Sequence, residues 1–394
     1  MQLKSISVLS FTLAIAGGLA ACGGGGGGGG GGGSSTVTGY FKDSAVSGLG
    51  YSCAPSGQAG TTGTGGSFSY VDGDTCTFSL GAVELGSATA GEVVTPVELV
   101  SGGTPSDPTV INIVQLLTTA DDDGDPTNGI NIPTAVSTAA ESATGVNVSS
   151  GTFDTDIGVV QLVNDMYAAG SYSSILTDAT TAQNHIEATA SCVYSGMYRG
   201  TYSPSTGTGE WGMIVFPDGT ARAVSGDNSG YGEYTGTFNA STKSISVSGT
   251  WYDIDPLDGV TILSTTPSSA TGTISNPQTV TGTADGGAVS FSGTRFGGSA
   301  TAKYRFTGYY SGDGSGVFAA DVDGSNNVTG QSYSFDDGST YSLGGNVSGS
   351  TLTITVAGGT AQATVNLATG ALSGGTWSAN GGVGTFSGSG CQLN

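Results

Sequence analysis

The feature that most constrains this chain is a duplication in its C-terminal half. Tyr194-Ser195-Gly196-Met197-Tyr198 leads into Gly209-Glu210-Trp211 and Asp218-Gly219. About 112 residues further on, Phe306-Thr307-Gly308-Tyr309-Tyr310 leads into Gly316-Val317-Phe318 and Asp323-Gly324. Each copy runs on into alternating apolar and polar residues, Ser244-Ile245-Ser246-Val247 in the first and Thr351-Leu352-Thr353-Ile354-Thr355-Val356 in the second. A period of two buries one face of a strand. Residues 192–394 are therefore predicted to form a Gly-rich antiparallel β-barrel or sandwich built from two related meanders. Closure into a barrel is favoured because it removes sheet edges open to aggregation. With 72 glycines in 394 residues, disorder is the competing expectation. Against it, the regularly spaced Tyr, Phe and Trp residues supply apolar surface that offsets the entropy of ordering.

The N-terminal half reads differently. Residues 37–103 form a small β domain, with strands such as Ser67-Phe68-Ser69-Tyr70-Val71 and Cys76-Thr77-Phe78-Ser79-Leu80. The Asp72-Gly73 pair between them suits a hairpin turn that would bring Cys76 back beside the preceding strand. Residues 104–191 form a helical segment. Asp107 can cap a helix with Pro108 at its first position, and Val110, Ile111, Val114 and Leu117 follow at helical spacing. Two further helices are predicted over 155–169 (Ile157, Val160, Leu162, Val163, Met166, Tyr167) and 177–190. The fold class is mainly β.

Residues 1–21 have the form of a signal peptide: Lys4, an apolar run from Ile6 to Ala16, and small residues up to Cys22. The run is too short for a permanent span, which needs about 20 apolar residues. Gly23 to Gly33 are consecutive glycines with no side chain to bury, so residues 22–36 read as a flexible tether reaching roughly 20 Å. Four cysteines remain beyond Cys22, an even number in an exported chain, and two disulfides are expected, Cys53–Cys76 and Cys192–Cys391. A zinc site is disfavoured, since there is no C-x-x-C pair and one histidine.

Leu19-Ala20-Ala21-Cys22 resembles the lipobox of bacterial lipoproteins. That resemblance implies diacylglycerol on the Cys22 thiol, cleavage just before it and a palmitate-type acyl anchor in the membrane. Gly23, where retention signals usually place Asp, implies the outer membrane, on its periplasmic face or at the cell surface. Together with the glycine tether, Gly39-Tyr40-Phe41-Lys42-Asp43-Ser44, Gly48-Leu49-Gly50-Tyr51-Ser52-Cys53 and Asp123-Gly124-Asp125-Pro126-Thr127-Asn128-Gly129-Ile130, the first half is similar to a group of uncharacterised surface lipoproteins of Gram-negative bacteria. Gly375-Thr376-Trp377 and Gly384-Thr385-Phe386-Ser387-Gly388 are loosely similar to the β-barrel halves of transferrin-binding-type lipoproteins. That likeness implies a barrel and carries no transferrin site with it.

Beyond Cys22 the chain has seven Lys and Arg against thirty Asp and Glu, and its cations are scattered, so nucleic acid is not an expected partner. The strongest candidate for ligand chemistry is the loop holding Asp121, Asp123, Asp125 and Asn128, with Gly124 and Gly129 permitting tight turns. Closely spaced oxygen ligands suit a structural Ca²⁺, although the spacing is not that of an EF-hand. The bland reading is a polar turn, but acids after a helix oppose its dipole and favour a cation there. Asp253, Asp255 and Asp258 read as a solvated loop, and His185 as a core or interface residue. Gly-x-Ser-x-Gly, Ser-x-x-Lys and His-Glu-x-x-His are all absent, so the chain is read as non-catalytic. Tyr198, Tyr202, Trp211, Tyr231, Tyr234, Trp251, Tyr309 and Tyr310 either fill the core or form stacking platforms for a glycan or protein. The expected function is a cell-envelope lipoprotein that displays a disulfide-closed β domain for adhesion or partner binding. Its rivals are a barrel carrying a small molecule or metal, and a secreted hydrolase.

Overall fold

The computed structural model describes residues 35–203, 208–299, 301–336 and 338–393. The leader, Cys22 and the glycine run lie outside the described residues. The chain from Thr36 to Tyr194 carries β1 (Thr36–Phe41), β2 (Val46–Ser47), β3 (Gly50–Ala54), β4 (Ala59–Thr61), β5 (Ser67–Val71), β6 (Thr75–Leu80), β7 (Val83–Thr89), β8 (Val93–Val94), α1 (Pro108–Ala120), β9 (Ile130–Asn131), α2 (Thr134–Ala140), α3 (Ile157–Ala169) and α4 (Ala179–Tyr194). The strands form sheets of order β5-β1-β8 and β4-β3-β6-β7, with β2 and β9 paired in parallel. Alternation along β5 and β6 turns Phe68, Tyr70, Phe78 and Leu80 inward, onto Phe41, Ile113, Leu116 and Leu117. Sheet and helices thereby hide each other's apolar faces.

The Asp72-Gly73 turn is present, with Gly73 at φ 91°, but the predicted hairpin is not. β5 pairs with β1, and β6 pairs with β3 and β7. Asp74 redirects the chain, because its carboxylate accepts Val71 N at 2.8 Å and Ser56 Oγ at 2.6 Å. Cys76 therefore faces Cys53 across β3, and the two form a disulfide. α1 starts as its sequence predicts, with Asp107 Oδ1 accepting Thr109 N at 2.8 Å. α3 and α4 begin two residues later than their spacing suggests, because Asp156 and Asp178 take the cap positions. α2 has no counterpart in the sequence reading. Its seven residues bury only Val136 and Ala140, too few to set a period.

The C-terminal region holds two closed barrels. The first runs β10 (Gly196–Ser203), β11 (Gly209–Val215), β12 (Thr220–Asp227), β13 (Gly230–Asn239), β14 (Ser244–Ile254), β15 (Ile262–Ser275), β16 (Thr279–Ala284) and β17 (Val289–Phe296). The second runs β18 (Tyr304–Gly312), β19 (Gly316–Val322), β20 (Asn327–Ser334), β21 (Thr340–Ser348), β22 (Thr351–Val356), β23 (Gly359–Asn366), β24 (Ala371–Ala379) and β25 (Gly382–Gln392). Each related meander closes on itself, β10 on β17 and β18 on β25. Eight strands leave an interior that side chains can fill, and they do so: Tyr198, Met213, Val215, Phe238 and Ile274 in the first, Phe306, Phe318, Leu352, Ile354 and Phe386 in the second.

The register of the duplication differs from the one sequence spacing suggests. Tyr194 ends α4, so the strand residues Tyr198, Gly200 and Tyr202 correspond to Phe306, Gly308 and Tyr310, about 108 residues apart rather than 112. The physical match is close. A Cβ on Gly209 would stand 2.1 Å from the Tyr202 ring, and one on Gly316 would stand 2.5 Å from the Tyr310 hydroxyl. In both barrels a ring from the first strand covers the opening glycine of the second.

α4 joins the two halves. Its last turn carries Cys192, which is disulfide-bonded to Cys391 on β25 at a sequence separation of 199, so the whole first barrel lies inside the closed loop. Its terminal carbonyls are received by two arginines. Arg295 Nη1 donates to Val193 O at 2.7 Å, and Arg305 Nη1 donates to Ser195 O at 3.0 Å and Val193 O at 3.3 Å. Cations belong at this end of a helix. Arg305 is held in turn by Asp321, Nε to Oδ1 at 2.8 Å and Nη2 to Oδ2 at 3.1 Å, with both side chains buried. Breaking such a pair leaves a buried charge alone, at a cost of about 3–5 kcal/mol. Asp321→Asn should therefore destabilise the protein by about that much in urea unfolding. Glu98→Gln, which removes the charge paired with Lys243 but keeps an acceptor oxygen for Tyr194 Oη, should cost less than that. Equal losses in the two variants would contradict this assignment.

Candidate functional site

α1 is buried over most of its surface, and its polar side chains are used to hold neighbouring loops. Asn112 Nδ2 donates to Val148 O at 2.7 Å, and Gln115 Nε2 donates to Thr177 O at 2.7 Å. The helix delivers Asp121 at its C-cap, in an environment its burial fixes. Asp121 is fully buried. Its Oδ1 accepts Asn131 N at 2.9 Å, whereas its Oδ2 has no hydrogen-bond partner. The loop bends back over this group at Gly124, whose φ is 72° and where a Cβ would stand 2.2 Å from the Tyr172 ring. Only glycine meets both demands.

Asp121, Asp122 and Asp123 each offer an oxygen to one shared space, all within 4.8 Å of one another. The sequence reading named Asp121, Asp123, Asp125 and Asn128. The structure brings the first two together with Asp122 and gives the others different work. Asp125 Oδ1 accepts Thr127 Oγ1 at 2.6 Å and Thr127 N at 3.1 Å, capping the turn at 126–128. Asn128 Nδ2 donates to Asp123 Oδ2 at 2.8 Å. A set of alternate residues, Asp121, Asp123 and Asp125, passes over Asp122. The helix end places three successive carboxylates together instead.

Electrostatics make this cluster unstable by itself. Three carboxylates gather at the negative end of a helix, and one of them is out of water. Burial pushes Asp121 up to about 6; the Asn131 N–H opposes that shift and the Asp123 charge reinforces it. Asp123 is held below the usual carboxylate range, chiefly by Asn128 and the Asp125 N–H. The chemistry open to such a group is proton sharing or coordination of a hard cation.

Other expected residues fall elsewhere. His185 Nε2 lies 3.3 Å from Asp43 Oδ1, across the contact between α4 and the residues following β1. Burial lowers its pKa and Asp43 more than offsets this, so the imidazole titrates above its usual range. Asp43 is fully buried, and sequence spacing gave no sign of its pairing. None of the eight candidate aromatics is exposed: Tyr198 and Tyr202 are buried and the others are half-buried. Tyr231 and Tyr252 stack on each other at 4.9 Å. A cavity of about 550 Å³ opens in the N-terminal unit between Leu85, Leu99 and Val148, with Glu84 as the one carboxylate in its lining.

The second acidic cluster is not simply solvated. Asp253 Oδ1 accepts Trp251 Nε1 at 2.9 Å, Asp255 Oδ1 accepts Leu257 N at 2.8 Å, and Asp258 accepts Val260 N and Thr261 N at 2.9 Å. With Asp253 held by the Trp251 and Ser264 side chains and Asp255 and Asp258 turned to the backbone, the aliphatic residues between them face outward. Leu257 is 94% exposed, Leu263 60%, Val260 53% and Ile262 47%. The tip also overhangs the barrel: β15 pairs with β14 from Ile262 onward, but with β16 only from Ala270. This surface was missed because apolar residues in a strand pattern are read as core.

Family models, curated proteins and solved structures were compared with this chain, and none matched.

Asp121→Asn separates a metal site from a polar turn. In the chelator-treated parent, the raised Asp121 pKa contributes stability that is full below about 3.8 and lost as pH rises through about 6. The variant should therefore melt above the parent in chelator at neutral pH. Ca²⁺ should raise the parent's melting temperature and leave the variant's unchanged. Thermal melts with calcium and with chelator check both, and an equal calcium response in the two proteins would refute the site.

Proposed function

We propose that this protein is a non-catalytic cell-envelope lipoprotein, anchored through an acyl chain on Cys22, that captures a protein partner on the overhanging β14–β15 hairpin. The observation that carries this reading is the tip itself. Four aliphatic side chains face solvent beside a strand edge that runs unpaired from Ile262 to Pro267 among the described residues. Exposed strand edges are usually blunted, and Pro267 shortens this one. An edge with apolar neighbours is the geometry used for strand addition by a partner chain, and a cluster of exposed aliphatics marks such sites.

Each rival function needs something different. A carrier barrel needs a hollow, and the two interiors are filled by Tyr198, Phe238, Phe306, Phe318 and their neighbours. A hydrolase needs converging groups in a cleft, and the 550 Å³ cavity brings one carboxylate to its wall. In the proposed arrangement the acidic cluster after α1 binds Ca²⁺ as a structural ion, through Asp121, Asp122 and Asp123. Its role is to neutralise the helix end and fix the loop, so it serves the scaffold rather than the partner surface.

Two measurements test this. Cells labelled with radioactive palmitate should incorporate it into the parent, and Cys22→Ser should abolish incorporation and release the protein from the membrane fraction. A variant still labelled would rule out Cys22 as the anchor. For the partner surface, a photo-reactive residue placed at 257 or 263 should yield a discrete protein adduct on whole cells. The same residue at Thr364, exposed on the second barrel, should not. Identical adduct patterns at all three positions would remove the hairpin from consideration.

A further inference from the structure

Charge on the first barrel is divided between its two ends. The hairpins β12–β13, β14–β15 and β16–β17 all turn at one end, and that end carries Asp227, Glu233, Asp253, Asp255, Asp258 and Asp285. The four cations of this barrel lie away from it. Lys243 opens β14 at the opposite end, where it pairs with Glu98 of the N-terminal unit at 3.3 Å. Arg222 and Arg295 are near the far ends of β12 and β17, and Arg199 is midway along β10. Lys42, Lys303 and Arg305 lie outside this barrel. The acids keep their charge while they hold the loop: Asp258 is held below the usual carboxylate range by the Thr261 hydroxyl and by the Thr261 and Val260 N–H groups. Leu257, Val260, Ile262 and Leu263 therefore stand exposed in a negative field.

The overhanging edge has a defined orientation. Ser269 N–H points to the β16 side of β15, where Asp285 Oδ1 accepts it at 3.3 Å and closes the ladder. Main-chain groups on one side of a strand recur at every second residue. The Thr265 N–H and C=O and the Pro267 C=O therefore point the same way, past the end of β16, and both residues are exposed. A proline fits there because the missing N–H belongs to the open side. Side chains alternate as well. Ser264 donates to Asp253 Oδ2, and Ser268 donates to Asp285 Oδ1 at 2.8 Å. One face of a strand added here would thus look toward two carboxylates. Its other face would continue the uncharged surface of Leu263, Thr265 and Pro267.

The geometry points to a cationic, extended partner segment, with Lys or Arg alternating with aliphatic residues, that pairs along Thr265 to Pro267. This rests on the reading of the hairpin as a partner surface and names the chemistry of that partner. Basic side chains would face Asp253 and Asp285, and aliphatic ones would cover Leu263. Main-chain pairing supplies affinity in such additions, and opposite charge selects the partner and speeds its encounter. An acidic segment would meet six carboxylates with no cation at that end to offset them. A second copy of this chain, itself strongly acidic, is disfavoured on the same ground.

The test measures binding of short fluorescent peptides to the full chain by anisotropy. A peptide alternating valine with lysine should bind, and its valine–glutamate counterpart should not. Methylating alternate backbone nitrogens of the lysine peptide keeps its charge but removes its ladder donors, and should weaken binding roughly ten-fold or more. Asp285→Asn should weaken the lysine peptide about two- to five-fold. Equal binding of the methylated peptide would reduce the attraction to net charge and overturn the proposal. So would equal binding of the glutamate peptide, or no binding of the lysine peptide. If adducts at 257 and 263 still form on cells in those cases, the hairpin keeps its partner and only the cationic strand falls. Absence of those adducts removes the hairpin reading itself.

Discussion

The architecture depends on how the C-terminal end of α4 is satisfied. A helix ends with carbonyls that have no partner within it, and α4 ends where three parts of the molecule meet, so water cannot supply those partners. Arg295 from the first barrel and Arg305 from the second supply them instead. Asp321 then fixes Arg305 in the orientation that reaches the helix. Tyr198 adds a hydrogen bond to Tyr194 O at 2.7 Å, which ties the helix end to the first barrel strand. The Cys192–Cys391 bond lies in the same last turn and links the helix to the last strand of the second barrel. A covalent bond and an ionic network thus fix one helix end to the start of one barrel and the end of the other. The position of each barrel follows from that.

Within the barrels, glycine makes ring packing possible. A strand of alternating glycine has little to bury and much entropy to lose. The loss is offset where a neighbouring ring lies across the bare backbone. Trp211 does this over Gly293 and Trp377 over Gly384, where a Cβ would stand 2.5 Å and 2.4 Å from the indole. The aromatic residues that could have been sugar platforms are therefore largely committed to covering glycine. This also explains why the duplication could be seen in the sequence while its register could not. Gly-x-ring patterns recur at several offsets, and only the ring-over-glycine pairing across strands distinguishes about 108 residues from 112.

Legibility varied with the range of the interaction. Caps are local, so Asp107-Pro108 marked the start of α1 correctly, and alternation is local, so the β segments and their inward faces were readable. Both disulfides were readable too, because four cysteines placed so unevenly leave few sensible pairings. The path of β5 and β6 was not, since it turns on Asp74 reaching Ser56, a contact between strands that no local pattern announces. The acidic loop was found from composition, but its third carboxylate depends on the dihedral angles at the end of α1. Asp43 opposite His185, and Lys42 opposite Arg305, depend on how separate units dock, and nothing in the spacing of those residues refers to it.

The placement of charge follows a single logic. A chain with thirty acids and few bases cannot build stability from surface ion pairs, and it does not try to. Its few cations are spent inside or against rings: Arg305 on Asp321, Arg199 over Phe296 at 5.0 Å, Arg222 over Tyr309 at 4.6 Å. Its acids take over the work that backbone donors elsewhere give to water, closing turns at Asp125, Asp218, Asp258 and Asp323. In the β14–β15 tip the consequence is an inversion of the usual polarity. Three aspartates consumed by the loop cannot shield it, and Leu257, Val260, Ile262 and Leu263 are left in water. Aliphatic surface costs roughly 25 cal/mol for every Å² that stays exposed. A loop capped so as to leave four such side chains outward therefore keeps apolar surface in water that burial would relieve. The surrounding negative charge would repel other acidic surfaces, including further copies of this protein.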